Sequence, residues 1–261
     1  MAPDLPHPDA EIDLKPFTGQ HAVVTGGGRG IGAATARLAA AEGYKVCVNY
    51  RKDKVSAEKL ANELNNAIAV PGDVSSEADV VRLFETVDRA LGRVSVLVNN
   101  AGIVDLGMRV EKITAARLQR MFAINVMGSF LCAREAIKRM STKHGGRGGA
   151  IVNLSSIAAR LGGAGEYVDY AASKGAIDTF TVGLAKELGA DGIRVNAVRP
   201  GIIRTEIHLA SGDPGRVERI GATAPLARPG DAEEVARAIL WLASDAASYV
   251  TGALLDVAGG R

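Results

Sequence analysis

Short apolar runs alternate with amphipathic stretches of helical period along almost the whole chain, and this alternation limits the fold more than any other feature. Strands are expected at 22–25, 46–48, 68–70, 94–98, 150–154, 194–198 and 254–257. Helices are expected between them at 30–42, 55–65, 77–91, 115–140, 168–188 and 232–243. Strand, helix, strand in succession gives a right-handed crossover. Seven such strands therefore predict one doubly wound parallel sheet with helices on both faces, an α/β fold. No linker rich in Pro, Gly or Ser divides the chain, so residues 18–261 read as one catalytic domain behind a flexible tail, residues 1–17. Two stretches are irregular, 141–149 and 203–225; the second follows the sixth strand and is expected to form a lid over a substrate pocket.

The first strand runs into Thr25-Gly26-Gly27-Gly28-Arg29-Gly30-Ile31-Gly32. Glycines there open backbone angles closed to other residues and let the chain approach a pyrophosphate. The helix that follows offers free N–H groups and a partial positive charge to phosphates. Gly28, Gly30 and Ala33 fit the general Gly-x-Gly-x-x-Ala form of dinucleotide sites. Gly26, Gly28, Arg29, Gly30, Ile31 and Gly32 are the expected contacts. No Gly-Lys-Ser/Thr ending follows, which excludes a nucleoside-triphosphatase loop.

The second strand ends at Asn49-Tyr50-Arg51, without the acidic residue that accepts hydrogen bonds from the adenosine ribose in NAD sites. Arg29 and Arg51 instead flank the expected ribose position, which favours a 2′-phosphate and hence NADP(H) over NAD(H). Two solvated surface arginines are the other reading.

Composition removes several classes of function. A net charge of +2 is too small for a nucleic-acid surface. Charges interrupt every apolar run, so no membrane span is expected. Residues 1–15 lack the basic and apolar regions of a secretory signal, and the chain is expected to be cytoplasmic. Cys47 and Cys132 have no metal or redox spacing and read as buried thiols, while His7, His21, His144 and His208 are scattered, so no metal site is expected.

With Asn99-Asn100-Ala101-Gly102 after the fourth strand and Tyr170-x-x-x-Lys174 in the fifth expected helix, the chain resembles the short-chain dehydrogenases/reductases from about Phe17 to Arg261. Asp73-Val74, Asn125, Ser155-Ser156, Arg199-Pro200-Gly201 and the ending from Thr251 to Gly260 fall in the same order as in that family. The resemblance implies a Rossmann-type domain and a catalytic tetrad of Asn125, Ser156, Tyr170 and Lys174. In it the tyrosine moves a proton at the substrate oxygen while the nicotinamide moves hydride, and the serine orients that oxygen. The lysine bonds the nicotinamide ribose, and the asparagine holds a relaying water. Tyr170 and Lys174 are four apart and share a helix face. A free tyrosine, with a pKa of ~10, is too weakly acidic to act as a base at neutral pH, and a neighbouring ammonium and an oxidised nicotinamide are expected to lower it. Further implied cofactor contacts are Asn49, Asp73 and Val74 beside adenosine, Asn99, Ala101 and Gly102 near its ribose, and Pro200, Gly201, Ile203 and Thr205 near the carboxamide.

One spacing departs from the family. Its serine often lies thirteen residues before the tyrosine, whereas Ser156 lies fourteen and Ser155 fifteen before Tyr170. An added residue in the Gly-rich stretch 160–166 accounts for this, and Ser156, the second of the pair, is the choice. Tyr167 lacks a lysine four places on; with Met108, Arg160, Glu166 and Asp169 it is expected on the substrate side. The substrate is a small carbonyl or alcohol, free or carried as a 3-oxoacyl thioester on an acyl carrier protein. Lys138, Arg139, Lys143 and Arg147 offer that acidic carrier a landing patch, or else are a solvated helix end and loop. The helices around 125–139 and 168–188 resemble those that pair between subunits in the family, which implies a homotetramer or a homodimer. A non-catalytic nucleotide sensor on the same fold is the alternative of a different kind.

Overall fold

The computed structural model describes residues 20–206 and 215–261; the expected tail, 1–17, and part of the expected lid lie outside these residues. Seven strands form one parallel sheet: β1 (His21–Val24), β2 (Lys45–Tyr50), β3 (Ala67–Pro71), β4 (Val96–Asn99), β5 (Gly149–Leu154), β6 (Ile193–Pro200) and β7 (Leu254–Val257). Their order is β3-β2-β1-β4-β5-β6-β7. The direction of winding reverses between β1 and β4, and a crevice opens there beyond the carboxyl ends of the strands.

Period-two alternation decides which face each strand residue enters. Ala22, Val24, Val46 and Val48 pack on one face with helix α1 (Gly30–Ala41), helix α2 (Lys54–Glu63) and helix α9 (Ala232–Ala243). Val23, Cys47, Leu97 and Ile151 pack on the other, against helix α3 (Glu77–Ala90), helix α5 (Gly128–Met140) and helix α7 (Val168–Leu188). Each large side chain buried this way, such as Leu83 or Phe84, contributes roughly 1.5–3 kcal/mol. Both cysteines are free and buried, and burial pushes their thiols up, Cys132 to about 12. No helix among the described residues is long and apolar enough to cross a membrane.

The expected helix 115–140 is continuous but not uniform. It runs as α4 (Ala115–Phe122), a π-helical turn (Ala123–Met127) and then α5. The widened turn surrounds Asn125, whose side chain is drawn to the backbone of Ile103: Ile103 N–H donates to Oδ1 at 2.8 Å, and Nδ2 donates to Ile103 O at 3.0 Å. Two short helices add to the expected ones: α6 (Ala158–Leu161), and α8 (Arg216–Gly221) within the stretch expected to form a lid.

Candidate active site

The turn after β1 is shaped by its own backbone and two polar side chains, Thr25, which is buried, and Asn100, which is half-buried. Gly26 and Gly30 take positive φ, +60° and +53°. A Cβ at Gly32 would lie 2.6 Å from both Asn100 Nδ2 and Gly26 O, so only glycine fits. Thr25 Oγ1 accepts from Asn100 N and Ala101 N, each at 3.0 Å, and Asn100 Nδ2 donates to Thr25 O at 2.8 Å. These bonds tie the β1 turn to the β4 turn across the crevice. Helix α1 begins with Arg29 at its N-cap, with no side-chain cap and no acidic residue in its first turn. Its leading N–H groups and positive dipole end are therefore available to an anion, and the glycines leave room for one. The residues present fit the pyrophosphate of a dinucleotide.

Tyr170 and Lys174 project from α7 into the cleft. Lys174 is only 5% exposed and donates from Nζ to Leu154 O, the last carbonyl of β5, at 2.6 Å. Its nitrogen stands 5.7 Å from the centre of the Tyr170 ring. Burial lowers the Lys174 ammonium to about 8, partly opposed by the Asp178 carboxylate one turn away. Burial also raises the Tyr170 phenol, and the Ser156 side chain, within hydrogen-bonding reach, opposes that rise. The expected lowering of Tyr170 is thus corrected for the chain by itself: desolvation outweighs its neighbours, and Tyr170 is a proton donor at neutral pH.

The serine pair separates clearly. Ser155 Oγ is buried and donates to Lys174 O at 3.2 Å, anchoring α7 to the end of β5. Ser156 lines the cleft with Tyr170. Asn125 is 1% exposed, and its amide also donates to Ser173 Oγ at 3.1 Å, which in turn donates to Tyr170 O at 2.7 Å. Asn125 is thus linked to Tyr170 through Ser173, while Lys174 is held by the end of β5.

A cleft of about 360 Å³ brings Ser156, Tyr170 and Lys174 together with Ile31, Gly102, Pro200, Gly201, Ile203 and Thr205. Asn100, not singled out in the sequence, also lines it, whereas Asn99 turns into the core and donates to Asn153 Oδ1 at 2.9 Å. Asn49 is likewise internal: its amide accepts from Gly26 N at 3.3 Å and donates to Gly72 O at 3.1 Å, shaping the turn rather than facing outward. Ala101 packs against Gly26, and Val74 against Gly128. Gly28 faces Ala57 of α2. Arg51 Nε pairs with Asp73 Oδ2 at 2.6 Å, and Asp73 Oδ1 accepts from Ser75 Oγ at 2.6 Å. Arg29 stands at the N-cap of α1, and Arg51 directly follows β2, the strand that pairs with β1.

Of the residues expected on the substrate side, Glu166 and Tyr167 line the cleft. Asp169 does not: it is buried in a two-point pair with Arg117 of α4, at 2.7 and 3.1 Å. Arg160 pairs outward with Asp256, and Met108 N donates to Glu166 O at 2.9 Å without lining the cleft. The cleft's outer wall instead includes Val104, Ile157, Leu161, Ala164 and Arg216, on stretches whose folding the sequence pattern leaves open. Arg216 holds Glu166 at 2.6 Å and lies over the Tyr167 ring. Among the described residues, no group of three or more His, Cys, Asp or Glu side chains is placed to hold a metal ion.

Comparison with known proteins agrees with this fold. The family profile described as enoyl-(acyl carrier protein) reductase matches residues 26–261. The uncharacterized oxidoreductase YgfF of Escherichia coli is 55% identical, over 92% of this chain and 99% of that protein. A 3-oxoacyl-[acyl-carrier-protein] reductase of Synechocystis is 40% identical, over 94% of this chain and 97% of its own. The crystal structure of a 3-ketoacyl-(acyl-carrier-protein) reductase from Brucella melitensis, complexed with NADH, superposes with a TM-score of 0.87 at 33% identity, covering 94% of this chain and 98% of that one.

Proposed function

The chain belongs to the short-chain dehydrogenase/reductase family of oxidoreductases, and from that premise we propose that it interconverts a carbonyl and an alcohol with NADP(H), Tyr170 moving the proton. One observation carries the proposal. Tyr170, Lys174 and Ser156 meet in a single cleft with residues of the turns after β1, β4 and β6.

In the reductive direction Tyr170 Oη, kept protonated at neutral pH by its burial, gives its proton to the substrate oxygen. Ser156 Oγ orients that oxygen and stabilises the charge developing on it. Lys174 supplies an ammonium beside the tyrosine ring and a donor for the nicotinamide-ribose hydroxyls. Asn125 holds the cluster and a relaying water. When bound, the nicotinamide supplies or accepts the hydride at the substrate carbon. Gly26, Gly28, Gly30, Ile31 and Gly32 would hold its phosphates, and Asp73 and Val74 the adenine. Ala101 and Gly102 would hold the adenosine ribose, Asn99 and Asn49 acting only from inside through the turns they brace, and Pro200, Gly201, Ile203 and Thr205 would hold the carboxamide. Arg29 and Arg51 would take the 2′-phosphate, Arg51 exchanging Asp73 for it. The described part of 203–225, with α8 at its end, would form the lid.

A free small-molecule carbonyl is the favoured substrate. The basic patch proposed for a carrier protein is largely neutralised within the chain: Lys138 pairs with Glu135 at 2.7 Å, Arg139 with Asp88 at 2.8 Å and Lys143 with Asp191 at 2.6 Å. The name of the Synechocystis relative keeps the carrier-bound 3-oxoacyl thioester as the second reading. We also propose a homotetramer, or a homodimer, through α4–α5 and α7, because Leu118, Phe122, Met127 and Phe130 are exposed there.

A screen of ketones, sugars and an acetoacetyl thioester, followed by nicotinamide absorbance, tests the reading. The expected result is NADPH-dependent reduction of a free ketone, with Arg51→Ala weakening NADPH by about tenfold and leaving NADH unchanged. Equal affinity of the wild-type protein for NADPH and NADH would sink the arginine argument. Preference for the thioester would select the second substrate.

A further inference from the structure

Behind the cleft, four charged side chains form a line whose two ends each lie four residues from a tetrad candidate. Arg160, four after Ser156, pairs with Asp256 of β7 at 2.5 Å. Asp256 stands opposite Arg199 in the β6–β7 register and accepts from it at 3.5 Å. Arg199 then donates from Nε at 3.0 Å and from Nη2 at 2.7 Å to Asp178, four residues after Lys174 on α7. Side-chain exposure falls along the line, from 58% at Arg160 to 30% at Asp256, 15% at Arg199 and 12% at Asp178. It is a path from the surface to the base of the site.

The bonds at its inner end are unequal. Both Arg199 donors reach the same oxygen, Asp178 Oδ2, while Oδ1 is buried and has no hydrogen-bond partner among the described residues. Asp169, by contrast, divides the Arg117 guanidinium between its two oxygens. An orphaned buried oxygen costs free energy, and this one belongs to the residue one helical turn after Lys174.

Toward Lys174 its own helix presents Tyr170 and Asp178; β5 presents the Leu154 carbonyl, and the π turn presents the neutral Asn125 amide. Arg199 lies beyond Asp178 on β6 and Asp256 beyond that on β7, while Glu166, Arg216 and Arg261 stand on the cleft wall. Of these charged groups, Asp178 is the one whose field supports the ammonium against desolvation.

We infer that the line Asp178–Arg199–Asp256–Arg160 is a positioning device that sets the charge of Lys174: Asp178 keeps it an ammonium, and Arg199 limits how strongly. The inference rests on the assignment of Lys174 to the active site. Its signature is a pair of opposite effects from breaking one ion pair. Removing the carboxylate leaves Lys174 facing a bare guanidinium and makes it more acidic. Removing the guanidinium leaves Lys174 facing an undivided carboxylate and makes it less acidic. Loss of packing alone has no reason to give opposite signs.

The test is a titration of the cofactor-free full chain carrying carbon-13-labelled lysine, read by NMR, with the Lys174 signal identified by its loss in Lys174→Met. Asp178→Asn is expected to lower the midpoint and Arg199→Gln to raise it, each by about one pH unit. Asp256→Asn, which leaves Arg199 to Asp178 alone, is expected to lower it by less. A midpoint unmoved in these variants, or moved the same way by Asp178→Asn and Arg199→Gln, overturns the inference. If Asp178→Asn does not fold, Arg199→Gln and Asp256→Asn still require opposite shifts and decide the matter. Wild-type carbonyl turnover is assayed separately; its absence would contradict the oxidoreductase reading while the titration still judges the charge line.

Discussion

Ser155 and Ser156 are adjacent in sequence and opposite in role. The first is buried and fastens α7 to β5; the second lines the cleft with Tyr170. Ser156→Ala is expected to lower kcat by about 10²-fold with the fold intact, since it removes a donor aimed at the substrate oxygen. Ser155→Ala is expected to leave kcat within a few-fold and to lower stability by about 1 kcal/mol. Steady-state kinetics and denaturant unfolding of both variants separate the roles, and the reverse pattern would reassign the hydroxyl. Tyr170 carries its own pH prediction. Its phenol is raised above the ordinary tyrosine value of 10.0, so the protonated form prevails at neutral pH. Reduction is then supported through neutrality, and alcohol oxidation, which needs the phenolate, gains rate as pH rises. Initial rates in both directions check this; oxidation insensitive to pH would contradict it. Tyr170 and Lys174 are legible in the sequence because four-residue spacing on a helix fixes a shared face. Asn49 and Asn99 are not legible in the same way. Whether an amide at a strand end faces a ligand or bonds inward depends on partners such as Gly72 and Asn153, which only the folded sheet brings near.

At the scale of elements, α7 was readable to its ends, 168–188, whereas the helix before it hid a π turn. Its cause is a tertiary one, the bonds from Asn125 to Ile103 in the turn after β4, and no local composition announces it. The same applies to Asp169, whose partner Arg117 lies 52 residues away. This pair joins α4 to α7, with side chains 7% and 0% exposed. Arg117→Ala strands a buried carboxylate and is expected to cost about 3–5 kcal/mol in denaturant unfolding. The pH dependence has a definite sign. Burial pushes Asp169 up, but the Arg117 hydrogen bonds and neighbouring backbone donors outweigh it, and the folded value lies below 3.8. The stabilisation is therefore complete above the unfolded value and is lost as pH falls through the folded one. Arg117→Ala should remove most of that acid-side loss. An unchanged acid limb, or a cost near zero, would mean the pair contributes little.

For the whole molecule, the strand and helix alternation specified the sheet because each strand residue had to choose a face and each crossover a hand. The walls of the cleft were beyond that logic, since α6, α8 and the turns around them are set by contacts such as Arg216 with Glu166. Assembly tests the exposed apolar face. A double variant, Phe122→Asp with Met127→Asp, should reduce the mass seen by light scattering from the tetramer or dimer to a smaller species. A wild-type monomer at the same concentration would contradict the proposed pairing. The central claim is that Tyr170 moves the proton in a nicotinamide-dependent carbonyl reaction, and the most direct test compares wild type with Tyr170→Phe. Carbonyl reduction and NADPH affinity are measured side by side on the two proteins. The expected result is a kcat about 10³-fold lower with the NADPH Kd unchanged within about threefold; a Tyr170→Phe protein that keeps wild-type turnover would rule out proton transfer by Tyr170.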